Sequence, residues 1–197
     1  MFLDESGVTT QMTRSWGRAV RGERVQEGAP GGHWQILTLL GAMTVDGLVQ
    51  QSAKWTWDEM HQLEQSEYAG DIHCVTTWSK LGTRFGGVSV DLLLAQARPR
   101  PEARYVLATS TTGYTTNLPL AEITGGKAWI AFTHEGEPLS RGHGGPARLL
   151  VPHLYFWKSA KWVTRLTLLE HDQPGFWERN GYHDLGDPWT EQRYQGD

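Results

Sequence analysis

Cysteine is almost absent from this chain of 197 residues: Cys74 is the only one. A single thiol closes no internal disulfide, and it rules out iron–sulfur ligation by cysteines and haem attachment through a Cys-x-x-Cys-His motif. Long apolar runs are missing too. The longest, Ile36 to Val49, is interrupted by Thr38, Gly41, Thr44 and Asp46, and falls short of the ~20 residues that a spanning helix needs. No excess of positive charge exists either. The net charge of −4 argues against a general nucleic-acid binder. The opening residues Met-Phe-Leu-Asp-Glu-Ser show no basic stretch leading into an apolar one, so no export signal is read there. Together with the lack of disulfides this sets a cytoplasmic expectation, with neither membrane nor nucleic acid as a partner.

What is present is a chain of one-domain length, 39% hydrophobic, with ten tryptophans to fill a core. Residues 1–32 are polar and glycine-rich, end in Gly-Ala-Pro-Gly-Gly, and read as a flexible arm. Residues 33–172 read as the folded domain, and 173–197 as an aromatic tail packed on it. Within the domain, Thr56-Trp-Asp-Glu59 is a capping box that starts a helix running to about Gln65. Ser89 caps a second helix ending at Ala97. Strands are expected within His33–Val49 and at Ile72–Trp78, Arg104–Thr109, Ala128–Thr133, Ala147–Val151 and Lys161–Glu170. Gly86-Gly87 punctuates, Gly113–Asn117 is a loop, and Leu118–Ile123 a short helix. Short strands without regular βαβ alternation give an α+β class with mixed sheets.

Two stretches carry chemistry. The first is Asp71 to Lys80, where a histidine, two threonines, a serine and a lysine crowd Cys74. A lone cysteine is a small packed hydrophobe, a nucleophile or a metal ligand, and these polar neighbours favour the last two. The second runs from Arg141 to Lys161. Glycines at 142, 144 and 145 let backbone approach a ligand, Arg148 offers a planar fork, and Lys161 a point charge. Arg148 heads the apolar run Leu149–Val151, so its cation is buried, and a buried cation calls for an anion nearby. The alternative for this stretch is a surface hairpin with solvated cations. His33, His61, His134, His153, His171 and His183 form no zinc-like spacing and read as surface or loop residues.

Four blocks in this order resemble the molybdopterin-binding domain of the sulfite oxidase superfamily, which includes the catalytic subunits of bacterial protein-methionine-sulfoxide reductases. They are the Cys74 block, Gly-Tyr-Thr-Thr-Asn-Leu-Pro119, Arg-Gly-His-Gly-Gly-Pro-Ala-Arg148 and Lys-Ser-Ala-Lys-Trp162. The resemblance covers roughly Trp34 to Glu170, and the tail through Trp189 resembles the ending of small single-domain bacterial members. It implies a molybdenum–molybdopterin cofactor (Moco) with Cys74 as the thiolate ligand of the metal, a soft donor suited to a dithiolene-held metal. His143 and Arg148 match residues that contact the pterin and its phosphate. Ser159, Ala160 and Lys161 match a loop that closes on the pterin, and Ser110 a position beside it. His73, next to the cysteine, is a further candidate contact. Tyr114 falls where sulfite oxidases place a tyrosine at the substrate pocket, able to donate a hydrogen bond or relay a proton.

Two departures limit what the resemblance carries. Thr76 stands where the sulfoxide reductases have a glutamate, and Lys80 and Arg84 are spaced differently from the sulfite-binding arginines. Asp46-Gly47 resembles an early strand-end motif, while the pocket wall before Trp34 has no clear counterpart. The implied activity is two-electron oxygen-atom transfer on a small sulfite- or sulfoxide-like substrate. Electrons are then exchanged through a separate partner such as a flavin or iron–sulfur reductase, and a monomer is expected. The alternatives are a cofactor-binding protein of the same fold without turnover, or a cysteine hydrolase using Cys74 and His73. Adjacent strand residues point to opposite faces, which counts against the hydrolase.

Overall fold

The computed structural model describes residues 43–197. The arm over 1–32 and the start of the His33–Val49 strand region lie outside the described residues. Among those described, ten strands form two five-stranded sheets. The strands are β1 (Met43–Gly47), β2 (Ala53–Trp55), β3 (Ser66–Cys74), β4 (Trp78–Ser89) and β5 (Tyr105–Ser110). They continue with β6 (Thr115–Pro119), β7 (Trp129–His134), β8 (Glu137–Pro138), β9 (Arg148–Leu150) and β10 (Val163–Leu169). The first sheet has the order β2-β1-β10-β5-β6, in which β1 and β10 pair in parallel and the other neighbours antiparallel. The second has the order β3-β4-β7-β8, with β9 also on β7. This is the expected α+β class with a mixed sheet.

Helix α1 (Trp57–Gln62) begins as its sequence says. Thr56 Oγ1 accepts from the Glu59 amide at 3.3 Å, and Glu59 returns a carboxylate to the Thr56 amide at 2.7 Å. It stops at Gln62 rather than near Gln65, because Leu63 is already extended. Helix α2 (Val90–Ala97) is capped by Ser89 and ends on Arg98 in the left-handed region.

The main core lies between the two sheets and under α2. Val45, Val106, Leu166 and Leu168 of the first sheet meet Val88, Ile130 and Leu149 of the second, with Leu93 and Ala97 of α2. A smaller cluster of Ile72, Phe85, Ala131, Leu139 and Leu150 packs on the other face of the second sheet. Alternation explains the split: Leu149 goes to one cluster and Leu150 to the other, as do Ile130 and Ala131.

Four elements differ from the sequence reading. The expected strand over Ile72–Trp78 is a hairpin corner, where β3 ends at Cys74 and β4 begins at Trp78. Gly86-Gly87 does not end the strand: β4 continues through both, with a bulge between them in its pairing with β7. Gly87 is needed because a Cβ there would lie 2.1 Å from Ile130 O and 2.7 Å from Ala131 Cα. Residues Thr115–Pro119 are a strand at the edge of the first sheet rather than a loop, and only Leu120–Glu122 turns, as a 3-10 helix. Ala53–Trp55 adds a short strand that the sequence reading omits.

From Gly175 onward the chain follows the body closely. The amide of Phe176 donates to Thr115 O at 2.8 Å, and that of Tyr155 donates to Gly186 O at 2.8 Å. The rings of Trp157, Trp177, Tyr182 and Tyr194 pack edge-on or tilted between 4.9 and 5.4 Å.

Gly87→Ala is expected to lower stability by at least about 2 kcal/mol, since the backbone of β7 cannot yield as a side chain can. Urea unfolding of the two proteins measures it.

Candidate functional site

Cys74 is the last residue of β3, and Val75–Thr77 turn the chain into β4, with the Thr77 amide donating to Cys74 O at 3.1 Å. The thiol is only 6% exposed, yet it belongs to neither apolar cluster among the described residues. Its Sγ is hydrogen-bonded to the Thr76 hydroxyl at 3.1 Å. The sulfur thus has a polar neighbour in the turn that follows it.

Side chains two apart on a strand share a face. Cys74 therefore lies on the face of Ile72, and Arg148 on the face of Leu150. Ile72 and Leu150 belong to the same small cluster. Both candidate residues consequently face the same way, on the side of the second sheet away from the main core. Lys80 pairs with Ile72 across the hairpin and joins that face.

Two loops gather around Arg148. Its Nη1 donates to His143 O at 2.9 Å and its Nη2 to Ser159 O at 2.8 Å, while the guanidinium lies 4.1 Å over the Phe156 ring. Arg148 and Lys161 also form a backbone bridge, and Lys161 Nζ donates to Gly142 O at 3.2 Å. Gly144 has a φ of +105°, and a Cβ there would come within 3.0 Å of Arg148 Cβ and 3.2 Å of Lys161 Cγ. A glycine at 144 is what lets the loop close over both cations. A Cβ added at Gly142 would meet nothing within 4 Å, so that part of the loop borders open space.

His134, read from the sequence as a surface or loop residue, instead ends a strand beside this group. It ends β7, where its Nε2 lies 2.9 Å from Lys80 Nζ and 2.8 Å from Thr83 Oγ1. Burial first, then the Lys80 ammonium, push its imidazolium below the usual histidine range; Glu135 opposes this, and His143 and Arg148 add to it. Of the loop residues, His143 and Arg148 are near enough to disfavour its charge. The signal available in the sequence was its position at the end of the strand before the Glu135-Gly136 turn.

The remaining candidates fall into place as supports. Ser110 Oγ donates to Lys161 O at 2.6 Å. Ser159 Oγ accepts from the Val151 amide at 2.9 Å, and Ala160 packs in the main core, so both residues are buried in the body, with the Ser159 carbonyl given to Arg148 and the Ala160 carbonyl to the Leu149 amide. Tyr114 donates its phenol proton to Trp157 O at 2.7 Å, which commits that proton to the root of the same loop. His73 turns away from the sulfur. Its ring bonds Ser79 Oγ at 2.8 Å, packs against Trp189, and lines a groove of about 570 Å³ with Tyr68, Asp71, Trp129 and His153. The structure does not bring His73 and Cys74 together as a catalytic pair.

Beneath the loop lies a charge pair that the sequence reading omits. Lys158 and Glu178 are both wholly buried, with Nζ and Oε1 2.6 Å apart. Lys158 also donates to Asn117 O at 2.9 Å and to Asp184 O. Glu178 Oε1 accepts from Trp157 Nε1 at 3.0 Å and Thr116 Oγ1 at 3.2 Å. Burial pulls the Lys158 ammonium downward, and the Glu178 carboxylate pulls it back.

The arrangement suits a large anionic ligand that brings its own metal. Among the described residues no three His, Cys, Asp or Glu side chains gather to hold an ion by themselves. A metal already chelated by an organic scaffold needs only one further soft donor, which Cys74 provides. The anion side is served by a stretch with no Asp or Glu between Glu137 and Glu170, from which His143, Arg148 and Lys161 converge.

The fold and the site define a class, oxidoreductases built around a pterin-held molybdenum. Comparison with known proteins agrees: the model for the oxidoreductase molybdopterin binding domain matches residues 42–177, and this chain belongs to that family. It is 43% identical to the uncharacterized oxidoreductase YuiH of Bacillus subtilis, across 79% of this chain and 78% of that one. It is 27% identical to the protein-methionine-sulfoxide reductase catalytic subunit MsrP of Gluconobacter oxydans, but spans only 49% of that protein's length. The sulfane dehydrogenase SoxCD of Paracoccus pantotrophus shares the fold, with a TM-score of 0.60 and 23% identity over 66% of this chain and 38% of that one. The chain is therefore a molybdopterin-dependent oxidoreductase whose cofactor is molybdenum–molybdopterin.

Lys158→Met is expected to cost about 3–5 kcal/mol, because it strands the Glu178 carboxylate in the interior. The double variant Lys158→Met/Glu178→Leu should recover most of that loss, and denaturant titration of all three proteins gives the comparison.

Proposed function

We propose that this chain catalyses two-electron oxygen-atom transfer on a small substrate of sulfite or sulfoxide type. The observation carrying the reading is that Cys74 and Arg148 share one face of the second sheet, with His143 and Lys161 drawn in beside Arg148. In this reading Cys74 is the protein's ligand to molybdenum, and His143, Arg148 and Lys161 hold the pterin and its phosphate. Ser159 and Ala160, buried behind, hold Arg148 and β9 in place through their carbonyls, and Ser110 fixes Lys161. The cofactor supplies a metal able to exchange two electrons and one oxygen atom with water and substrate.

The chain's own share is to bind, orient and exclude water. Thr76 places a hydroxyl on the cysteine sulfur, where it tunes the electron density that the sulfur offers. Tyr114 holds the Trp157 carbonyl and so the start of the pterin loop. Lys80, in contact with His134, supplies positive charge on the cysteine's face, which favours an anionic or strongly dipolar substrate.

Electrons are exchanged in this reading with a separate redox protein, since the single cysteine of these residues supports no iron–sulfur centre within them. A flavin or iron–sulfur reductase is the partner class proposed. The related name "catalytic subunit" accords with such a division of labour. A lone reduced thiol also suits the cytoplasm, where we place the protein.

Purified from a host that makes the cofactor, the wild-type protein should carry one molybdenum per chain and show a thiolate-to-metal charge-transfer band. Cys74→Ser offers a hard oxygen instead, and should shift or abolish the band and lower turnover about 100-fold or more. Wild-type protein with no molybdenum would overturn the reading. Full molybdenum without any redox cycling would point instead to a carrier.

A further inference from the structure

The family match ends at Trp177, yet a contact from well beyond it reaches the cysteine turn. Arg193 donates through Nη1 to the carbonyl of Val75, the residue directly after Cys74. Its guanidinium also lies 5.0 Å over the ring of Tyr155, and its Nη2 is 3.5 Å from Glu191. On the other side of the cysteine, His73 forms a backbone bridge with Tyr155. The neighbours of Cys74 on both sides are thus tied to one unit, Tyr155 with Arg193 stacked on it.

The turn needs such a tie. β3 ends at Cys74, so ladder bonds stop there, and Thr77 is held at a φ of +71°, a conformation that side chains rarely adopt. Arg193 is itself well placed to act as a clamp. Its amide donates to Asp197 Oδ2 at 2.9 Å, its carbonyl accepts from the His183 amide at 3.2 Å, and its side chain is only 22% exposed. Tyr155 is 2% exposed and stacks on Trp157 at 5.4 Å, so the platform under the guanidinium is rigid.

We propose that Arg193 is a positioning residue for the metal-binding cysteine: by holding the Val75 carbonyl against the Tyr155 platform, it fixes the turn that aims the Cys74 sulfur. This rests on the function proposed above and adds a residue outside the family-matched domain to the machinery of the site. The fork of an arginine is suited to the task, because it bonds a carbonyl in its plane while presenting a flat face to an aromatic ring.

The test compares R193Q, R193K and Q195A with wild type in the full-length holoenzyme. Q195A is the control: it removes another tie of the same segment, Gln195 Nε2 to Glu178 O at 3.0 Å, without touching the cysteine turn. R193Q should retain molybdenum but show a shifted charge-transfer band, with R193K in between and Q195A unchanged. A second readout uses cofactor-free protein and iodoacetamide at a pH where the thiol is fully ionised, so that the rate reports access alone. There the sulfur displaces iodide to form the thioether, and R193Q should react about 3- to 10-fold faster than wild type, as local opening of the turn exposes it. An unmoved band and a wild-type alkylation rate in R193Q, with only the thermal midpoint lowered, would overturn the proposal. So would equal changes in Q195A. Should R193Q not fold, a band shift in R193K at full molybdenum content supports it and no shift overturns it. Absence of molybdenum from wild type would sink the proposed function while leaving the alkylation comparison able to decide the role of Arg193.

Discussion

Two opposite charges with no access to water, the Lys158 ammonium and the Glu178 carboxylate, sit where the loop after β9 meets the C-terminal segment. Taking both out of solvent costs several kcal/mol each, and that cost is offset only if the surrounding hydrogen bonds are satisfied. Asn117 and the backbone of Asp184 provide them for the ammonium, and Thr116 and Trp157 for Glu178 Oε1, while Glu178 Oε2 stays buried with no hydrogen bond, so the Lys158 contact offsets most of the carboxylate's share. Those partners come from β6, from the loop after β9 and from the tail. The pair therefore ties together three pieces of chain distant in sequence, and the residues that follow it, Ser159 to Lys161, inherit their position from it.

The division of the second sheet into two faces follows from the same economy of contacts. One face supplies Val88, Ile130 and Leu149 to the main core. The other carries a thin apolar patch bordered by Cys74, Lys80 and Arg148, which leaves one surface of a rigid sheet available for chemistry. A site on strands and tightly tied loops holds its groups with little freedom to drift. Phe156 joins the two roles, packing on the apolar patch while its ring lies under the Arg148 guanidinium.

Much of this was legible from residue order. Thr56 and Ser89 announce both helices because capping is local: the partner atoms lie within three residues. Cys74 and the Arg141–Lys161 stretch stood out through scarcity and charge, and four motif blocks pointed to the family. What stayed hidden was non-local. Gly87 looks like punctuation until β7 is laid against it, and Lys158 looks like one more loop cation until Glu178 arrives from the tail. His134 carries no motif, and gains meaning only from Lys80 and Thr83 on the neighbouring strand. The strand over Thr115–Pro119 has the composition of a loop, and is set by its pairing with β5.

The parallel pairing of β1 with β10 has a consequence for biosynthesis. Thr44 to Gly47 align with Arg165 to Leu168, and β10 occupies the middle of the first sheet. On the ribosome, that sheet has no centre until the chain has been made through Leu169, and its earliest strand waits unpaired on that side for most of translation. Because Lys161 and Arg148 bridge immediately before β10 starts, the loop between them is fixed in the same late step.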